Sequence, residues 1–293
     1  MSAPKSEDST MKSLDDRAAT PVGNENDSGR TAASADHVTA SADHAAAFAD
    51  HVTASADRSA ASEDHSTASA DRYAARMRES LDTEMLGVKD GVLRMGSLVE
   101  EQILAALDAL MNRDAELARR VIASDGQINE VQRAVTALVA MTIATQAPVA
   151  RDLRFLLALD RVTYELERMG DHAGSVAKQA RKLAGNTSMV TYDELTPMAQ
   201  LAARQVRDVV MALVDIDEAR AREVAHRDDE IDRLYHQVFD DVLQEMRTDP
   251  AKVDPGTRIL FAAHYLERIG DRVTNIAEDV VFLATGEVED LNP

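Results

Sequence analysis

The string Glu167-Arg168-Met169-Gly170-Asp171 returns as Glu267-Arg268-Ile269-Gly270-Asp271, 100 residues further along the chain. A unit of that size is longer than the solenoid repeats that need several stacked copies to bury a core, so it implies a duplicated supersecondary unit of roughly a hundred residues. The chain therefore folds as two domains or as one pseudo-symmetric domain. Its 293 residues accommodate both copies and a sizeable core.

Helical periodicity surrounds both strings. Val88, Val92, Met95, Val99, Ile103, Leu107 and Leu110 recur every three or four residues and form one apolar stripe on a long helix. Asp114 is placed to cap a second helix, which runs through Ile122, Ile128, Val131 and Val135 towards Ala147. Pro148 suits the first position of a third helix, which continues to about Leu183. Gly185 and Asn186 supply a stop, and the plan then repeats. A helix is expected from about Thr196 to Val214, another from about Asp217 to Met246, and a last one that carries the second string and ends near Gly286. No strand-like alternation of useful length intervenes. The expectation is an all-α fold of two tandem, pseudo-symmetric three-helix bundles, six long helices in all, with a disordered N-terminal extension. The expected boundaries are 1–72 for the extension, 73–186 for the first unit and 187–293 for the second.

The extension is rich in Ser, Thr, Ala and Asp, and it cannot bury enough surface to offset its ordering entropy. From Ala33 it is a tandem heptapeptide, with Asp36, Asp43, Asp50, Asp57, Asp64 and Asp71 in register. The seam positions carry Ala, Ser and Thr, which do not make a coiled coil. His37, His44, His51 and His65 each follow an Asp, the pattern of a metal-binding array, but the composition favours a disordered tract grown by repeat expansion. Translation from Met77, just before the folded part, is a further hypothesis that the mass of the native protein would test.

Composition narrows the function classes. A net charge of −20 argues against attraction to nucleic-acid phosphates and favours cations or basic partners. Absence of cysteine excludes thiolate metal sites and cysteine nucleophiles. There is no long apolar run and no secretory-type start, so the expected compartment is the cytoplasm.

The repeated string permits a specific chemistry. Residues four apart lie on one helix face, so Glu167 stands one turn from Asp171 and Glu267 one turn from Asp271. These like charges repel unless a cation or an arginine lies between them; Arg168 and Arg268 point about 100° away around the helix. The second helix of each unit contributes a matching element within SDGQIN and RDDEID, where Asp125 and Asn129 align with Asp228 and Asp232. Facing helices would then present Asp228, Asp232, Glu267 and Asp271 in one unit, and Asp125, Glu167 and Asp171 beside the neutral Asn129 in the other. Oxygen-only donors favour hard cations such as Mg or Mn and also accommodate Fe. Gly170 and Gly270 are unfavourable inside helices, so their repetition points to close approach by a neighbouring helix or an ion cluster.

These residues resemble the PhoU phosphate-transport regulatory proteins over about Met77 to Gly286. In that family each of two three-helix bundles carries a Glu/Asp-x-x-x-Asp signature, written through a Glu-Arg-Ile-Gly-Asp core followed by Asn-Ile-Ala. The second copy matches closely through Asn275, Ile276 and Ala277, and Pro148 to Arg154 is similar to the segment that opens the third helix of the family's first bundle. The resemblance implies a regulator without a catalytic reaction that binds multinuclear metal clusters on its acidic faces. It further implies a homodimer that links the ATPase of a phosphate ABC transporter to a sensor histidine kinase at the inner face of the membrane, and represses the phosphate-starvation response. Asn275, Asn129 and Ser175 are expected around the metal ligands. Ser175 stands where the second copy has Asn275, and Asn129 replaces an expected acid, so occupancy is expected to be stronger in the Glu267 unit.

Two rival readings make different demands. A di-iron carboxylate oxidase needs two Glu-x-x-His pairs, and the folded part has one, Glu223 to His226, outside the aligned acids. A metal-free helical adaptor would use its acidic faces for a basic partner. His172, His236 and His264 have no acid or serine at a spacing that makes a triad.

Overall fold

The computed structural model describes residues 37–185 and 192–291, with side chains from Asp71 onward and that of Ser69. The expectations for residues 1–36, including the disordered start of the extension, and for 186–191 lie outside the described residues. The described chain is helical and contains no strand. Its elements are α1 (His37–Met111), α2 (Ala115–Gln146), α3 (Ala150–Leu183), α4 (Leu195–Asp215), α5 (Glu218–His226), α6 (Asp228–Thr248) and α7 (Val253–Thr285), with a 3-10 turn at Pro250–Lys252 before α7. From His37 the backbone is helical through the alanine-rich heptapeptides, whose composition permits helix. The described residues fall into two units that divide after Thr67, so both three-helix repeats belong to the second.

The expected stripes form the core. Met95, Ile103 and Leu110 of α1, Leu156, Leu159, Leu166 and Met169 of α3, and Met198, Leu213 and Ile231 of the second repeat are all fully buried. Removing such side chains from water is the main favourable term in folding. Local signals behave in parallel in the two repeats. Asp114 Oδ1 accepts from the amides of Glu116 and Leu117, both at 2.9 Å, and Asp217 Oδ1 accepts from the Arg220 amide at 3.0 Å. Each aspartate satisfies donors that a helix start leaves unpaired and sits at its positive end.

Two expectations are corrected. Pro148 does not open α3; it lies in the short link after Ala147, which caps α2 in the left-handed conformation, and α3 begins at Ala150. The helix expected over Asp217 to Met246 is interrupted at Arg227, so α5 and α6 are two segments of one arm. Arg227 stabilises that break through Asp208 on α4 at 2.7 Å and Glu223 on α5 at 2.7 Å. The break places Asp228, Asp229 and Glu230 in the first turn of α6, where negative charge is favoured.

The repeats join along α3 and α7. Arg272 on α7 reaches Glu165 on α3 at 3.3 Å. The positions exchanged between the two helices, His172 and Tyr265, stack their rings 6.0 Å apart. Two such exchanged pairs mark an antiparallel crossing about a pseudo-twofold axis. α1 adds a further link, since Gly96 on it lies against Val210 of α4 and Glu100 accepts from Arg207.

Candidate metal centre

Close helix approach at the motif glycines brings the acids together. In the second repeat, a methyl on Gly270 would collide with Asp228 Oδ1 and stand 3.3 Å from Ile231 Cδ1. In the first, a methyl on Gly170 would stand 2.8 Å from Ile128 Cδ1. Glycine therefore allows α6 to seat on α7, and α2 on α3, as the sequence led us to expect.

Across the α6–α7 seam, Asp228, Asp232, Glu267 and Asp271 act on one another electrostatically. Burial pushes the Asp228 carboxyl up to about 7, with Asp232, Asp271 and Glu267 adding repulsion and a Thr274 hydrogen bond opposing it. Burial likewise raises Glu267 to about 7, helped by Asp271 and opposed by Arg268. Asp232 is raised by burial and by Asp271. The α2–α3 seam repeats this in weaker form. Asp125 is raised by burial and by Asp171, and Glu167 by burial, Asp171 and Asp125. All seven sequence-predicted acids thus fall into two electrostatically coupled groups, one per repeat.

The residues expected around them divide differently. Asn129 Nδ2 donates to Asp125 Oδ2 at 3.4 Å, inside the first acidic group. Ser175 Oγ donates to the Asp171 backbone carbonyl at 2.9 Å, along its own helix. Asn275 Nδ2 donates to Glu165 across the α3–α7 seam at 3.4 Å, away from the acids. Arg268 does reach an acid, pairing with Asp271 at 2.6 Å. About 100° of arc separates Arg268 from Glu267, and its long side chain bends back one turn along the helix to Asp271. His264 Nδ1 lies 3.3 Å from Glu267 Oε2. Glu223 is largely exposed and holds Arg227, so the lone Glu-x-x-His pair stays apart from these acids.

Sequence reasoning missed three buried contributors. Thr274 Oγ1 lies 3.4 Å from Asp228 Oδ2. Gln102 and Gln205 are buried, and each donates its amide to a carbonyl of the neighbouring arm, Val121 and Val224, both at 3.4 Å. The register that aligns Asp125 with Asp228 also aligns Gln102 with Gln205 and Val121 with Val224, so extending the repeat alignment outward would have found them.

The donor set fits a hard cation in kind: four half-buried or buried carboxylates on two facing helices, costly to ionise together without positive charge. Glu267 Oε2 is buried and makes no hydrogen bond. Among the described residues, no three acidic or histidine side chains are already arranged as a metal cage.

Comparisons with known proteins agree with this architecture. The PhoU domain family matches residues 92–180 and 195–280. The chain is 36% identical over 216 residues to the phosphate-specific transport system accessory protein PhoU homolog of Clostridium acetobutylicum, covering 73% of this chain and 99% of that protein. It is 33% identical to the corresponding homolog of Streptococcus pneumoniae, covering 74% of this chain and all of that protein. Among solved structures, PhoU from Pseudomonas aeruginosa superposes with a TM-score of 0.67 at 33% identity, over 70% of this chain and 99% of that one. The phosphate transport system regulatory protein PhoU from Streptococcus pneumoniae gives the same TM-score at 31% identity, over 72% of this chain and 99% of that one.

Proposed function

The chain belongs to the PhoU family, and from that premise we propose that it is a non-enzymatic accessory regulator of phosphate uptake. In this reading it docks on the ATPase of a phosphate ABC transporter and couples transporter state to a sensor histidine kinase, keeping the phosphate-starvation response off when phosphate is plentiful. Homologues named as accessory proteins of the phosphate-specific transport system, aligned over nearly their whole length, support the role. Among the described residues no helix is long and apolar enough to cross a membrane, so contact with the transporter would run through protein surfaces.

The observation that carries the metal part of the proposal is the duplicated convergence of acids on facing helices. Asp228, Asp232, Glu267 and Asp271 would hold a divalent or iron cation in the second repeat, and Asp125, Glu167 and Asp171 a weaker one in the first. The cation would supply the positive charge that lets these carboxylates ionise together, binding α6 to α7 and α2 to α3. Occupancy would then be a structural switch on the two seams, with no bond made or broken in a substrate. Asn129, neutral where the second repeat has Asp232, is the reason for the expected asymmetry.

Elemental analysis of the purified protein by inductively coupled plasma mass spectrometry tests this, with Glu267→Ala/Asp271→Ala and Glu167→Ala/Asp171→Ala variants alongside. Iron, manganese or magnesium retained in the wild type and lost mainly from the Glu267/Asp271 variant is the expected result. A protein that takes up no metal on reconstitution yet restores repression of phosphate-starvation genes in a deletion strain would favour a metal-free adaptor. The lack of a ready-made cage is the observation on that second reading's side.

A further inference from the structure

Four of the ten aromatic residues of this chain gather on one face of α6 and α7. Their rings form a continuous ladder with His264: Phe239 to Tyr235 at 6.3 Å, Tyr235 to His264 at 6.3 Å, His264 to Tyr265 at 6.0 Å, and Tyr265 to Phe261 at 6.4 Å. Phe261 is 49% exposed and Phe239 38%. A cavity of about 370 Å³ opens beside them, lined by Tyr235, Thr257, Leu260, Phe261 and His264. Exposed aromatic clusters of this kind are costly in water and are enriched at the centres of protein interfaces.

The first repeat supplies an internal control. At the positions equivalent to Tyr235, Phe239, Leu260 and Phe261 it carries Gln132, Thr136, Asp160 and Arg161. There Thr136 Oγ1 donates to Asp160 Oδ1 at 2.7 Å, an ordinary polar surface contact. Glu165 stands at the place of Tyr265 and Tyr164 at that of His264, so the same helix pair is built with one aromatic instead of a run of four, and the run is not required to pair the helices. Charge differs in the same way. α6 carries seven carboxylates and two arginines, whereas the equivalent stretch of α2, residues 125–145, carries two carboxylates and one arginine. Asp240 is exposed and stands about 100° around α6 from Phe239, at the solvent edge of the ladder.

We propose that this face of α6 and α7 docks a cationic amphipathic segment of a partner protein. An apolar side chain of that segment enters the cavity beside Tyr235 and Phe261, and its lysines or arginines lie over the ring faces and against Asp240. Ring faces attract cations, and carboxylates at the rim steer and orient them. The inference rests on the accessory-protein reading for its biological sense, since such a protein works by contact. It does not depend on metal occupancy.

The test uses the full chain and two synthetic helical peptides of equal length, one with leucines and lysines at amphipathic spacing and one with each leucine replaced by glutamine, read by fluorescence anisotropy. The double variant Tyr235→Gln/Phe261→Arg installs the residues of the first repeat, which that repeat accommodates on the same backbone, and circular dichroism checks its folding. Asp240→Lys, at an exposed position, probes the ionic half independently. The expected result is that the leucine–lysine peptide binds the wild type about tenfold or more tightly than either variant, and that the glutamine–lysine peptide binds weakly to all. Equal binding of the two peptides, or binding unchanged in both variants, overturns the proposal. Light scattering that shows a wild-type dimer converted to monomer by Tyr235→Gln/Phe261→Arg would assign the face to a second copy and also overturn it. Repeating the titration in excess chelator separates the two readings: binding that survives stands whatever becomes of the metal site.

Discussion

At the scale of single residues, the motif glycines Gly170 and Gly270, and Gly174 just after the first motif, are not equivalent. Gly270 faces the short, anchored side chain of Asp228, Gly170 faces the flexible end of Ile128, and Gly174 has only Gln102 Nε2, at 3.8 Å, nearby. Gly270→Ala is expected to cost about 1–3 kcal/mol by overpacking and to displace Asp228. Gly170→Ala should cost less, and Gly174→Ala should be neutral or stabilising by up to about 1 kcal/mol through helix propensity. Chemical denaturation of the three variants checks the order. The raised carboxyls give a second prediction. Asp228 and Glu267 titrate at about 7 in the folded protein, well above their unfolded range. Between about pH 4 and pH 7 the folded state therefore holds protons that the unfolded state has released, and stability falls as pH rises. The metal-free protein should melt several degrees higher at about pH 5 than at about pH 8, where 1 kcal/mol corresponds to roughly 2–4 °C. The Asp228→Asn/Glu267→Gln variant should lose most of that slope, and Asp279, raised by burial to about 6, should supply the remainder together with the raised Asp232, Asp125 and Glu167.

Among elements, the informative contrast is α2 against α5 and α6. Both arms occupy the same place in their repeats, yet α2 is unbroken through Ser124 and Asp125 while the second arm turns at Arg227 before Asp228. The Arg227 amide bonds the Val224 carbonyl in a tight turn at 3.1 Å, and Gln205 supplies that same carbonyl with a second donor. A helix interrupted in this way lacks the continuous ladder that protects backbone amides. Hydrogen exchange should therefore be faster across residues 224–231 than across 121–128, and a divalent cation that binds the second acidic group should slow it. Equal exchange in the two segments would mean that the break carries no dynamic consequence. Arg227→Ala should increase the difference while costing about 1 kcal/mol or less, because its ion pairs are partly exposed.

For the whole molecule, the α3–α7 seam packs the motif helices of the two repeats against each other. Glu165 with Arg272, His172 with Tyr265, and buried Asp279 with Arg161 at 3.0 Å tie the motif helices of both repeats directly. Splitting the repeats would expose the apolar faces of two long helices at once, so neither half has a complete core. Calorimetry of the protein should show the two repeats melting in a single transition. Residues 73–186 produced alone should lack a cooperative transition, and a sharp one would show that the first repeat is an independent domain.

Much of this was legible in the chain because it depends on local pattern. Helical periodicity, the Asp114 cap and the duplicated string report the elements, and the acids that the repeat alignment grouped, Asp125 with Glu167 and Asp171, and Asp228 with Glu267 and Asp271, act on one another across their seams. What one-dimensional pattern cannot carry is the direction of long side chains and contact across seams. Arg268 crosses to Asp271, Asn275 turns to Glu165, and Tyr265 meets His172 only because α7 lies antiparallel to α3. The interruption at Arg227 was likewise invisible, since α5 and α6 both read as good helix and the turn is held by Asp208 on another helix. By itself, the sequence determined a doubled all-α scaffold with paired acids, through spacing along the backbone. Tertiary structure alone decided which acids are buried deeply enough to resist ionisation, and that aromatic residues scattered over α6 and α7 form one exposed face, because burial and adjacency are properties of packed helices.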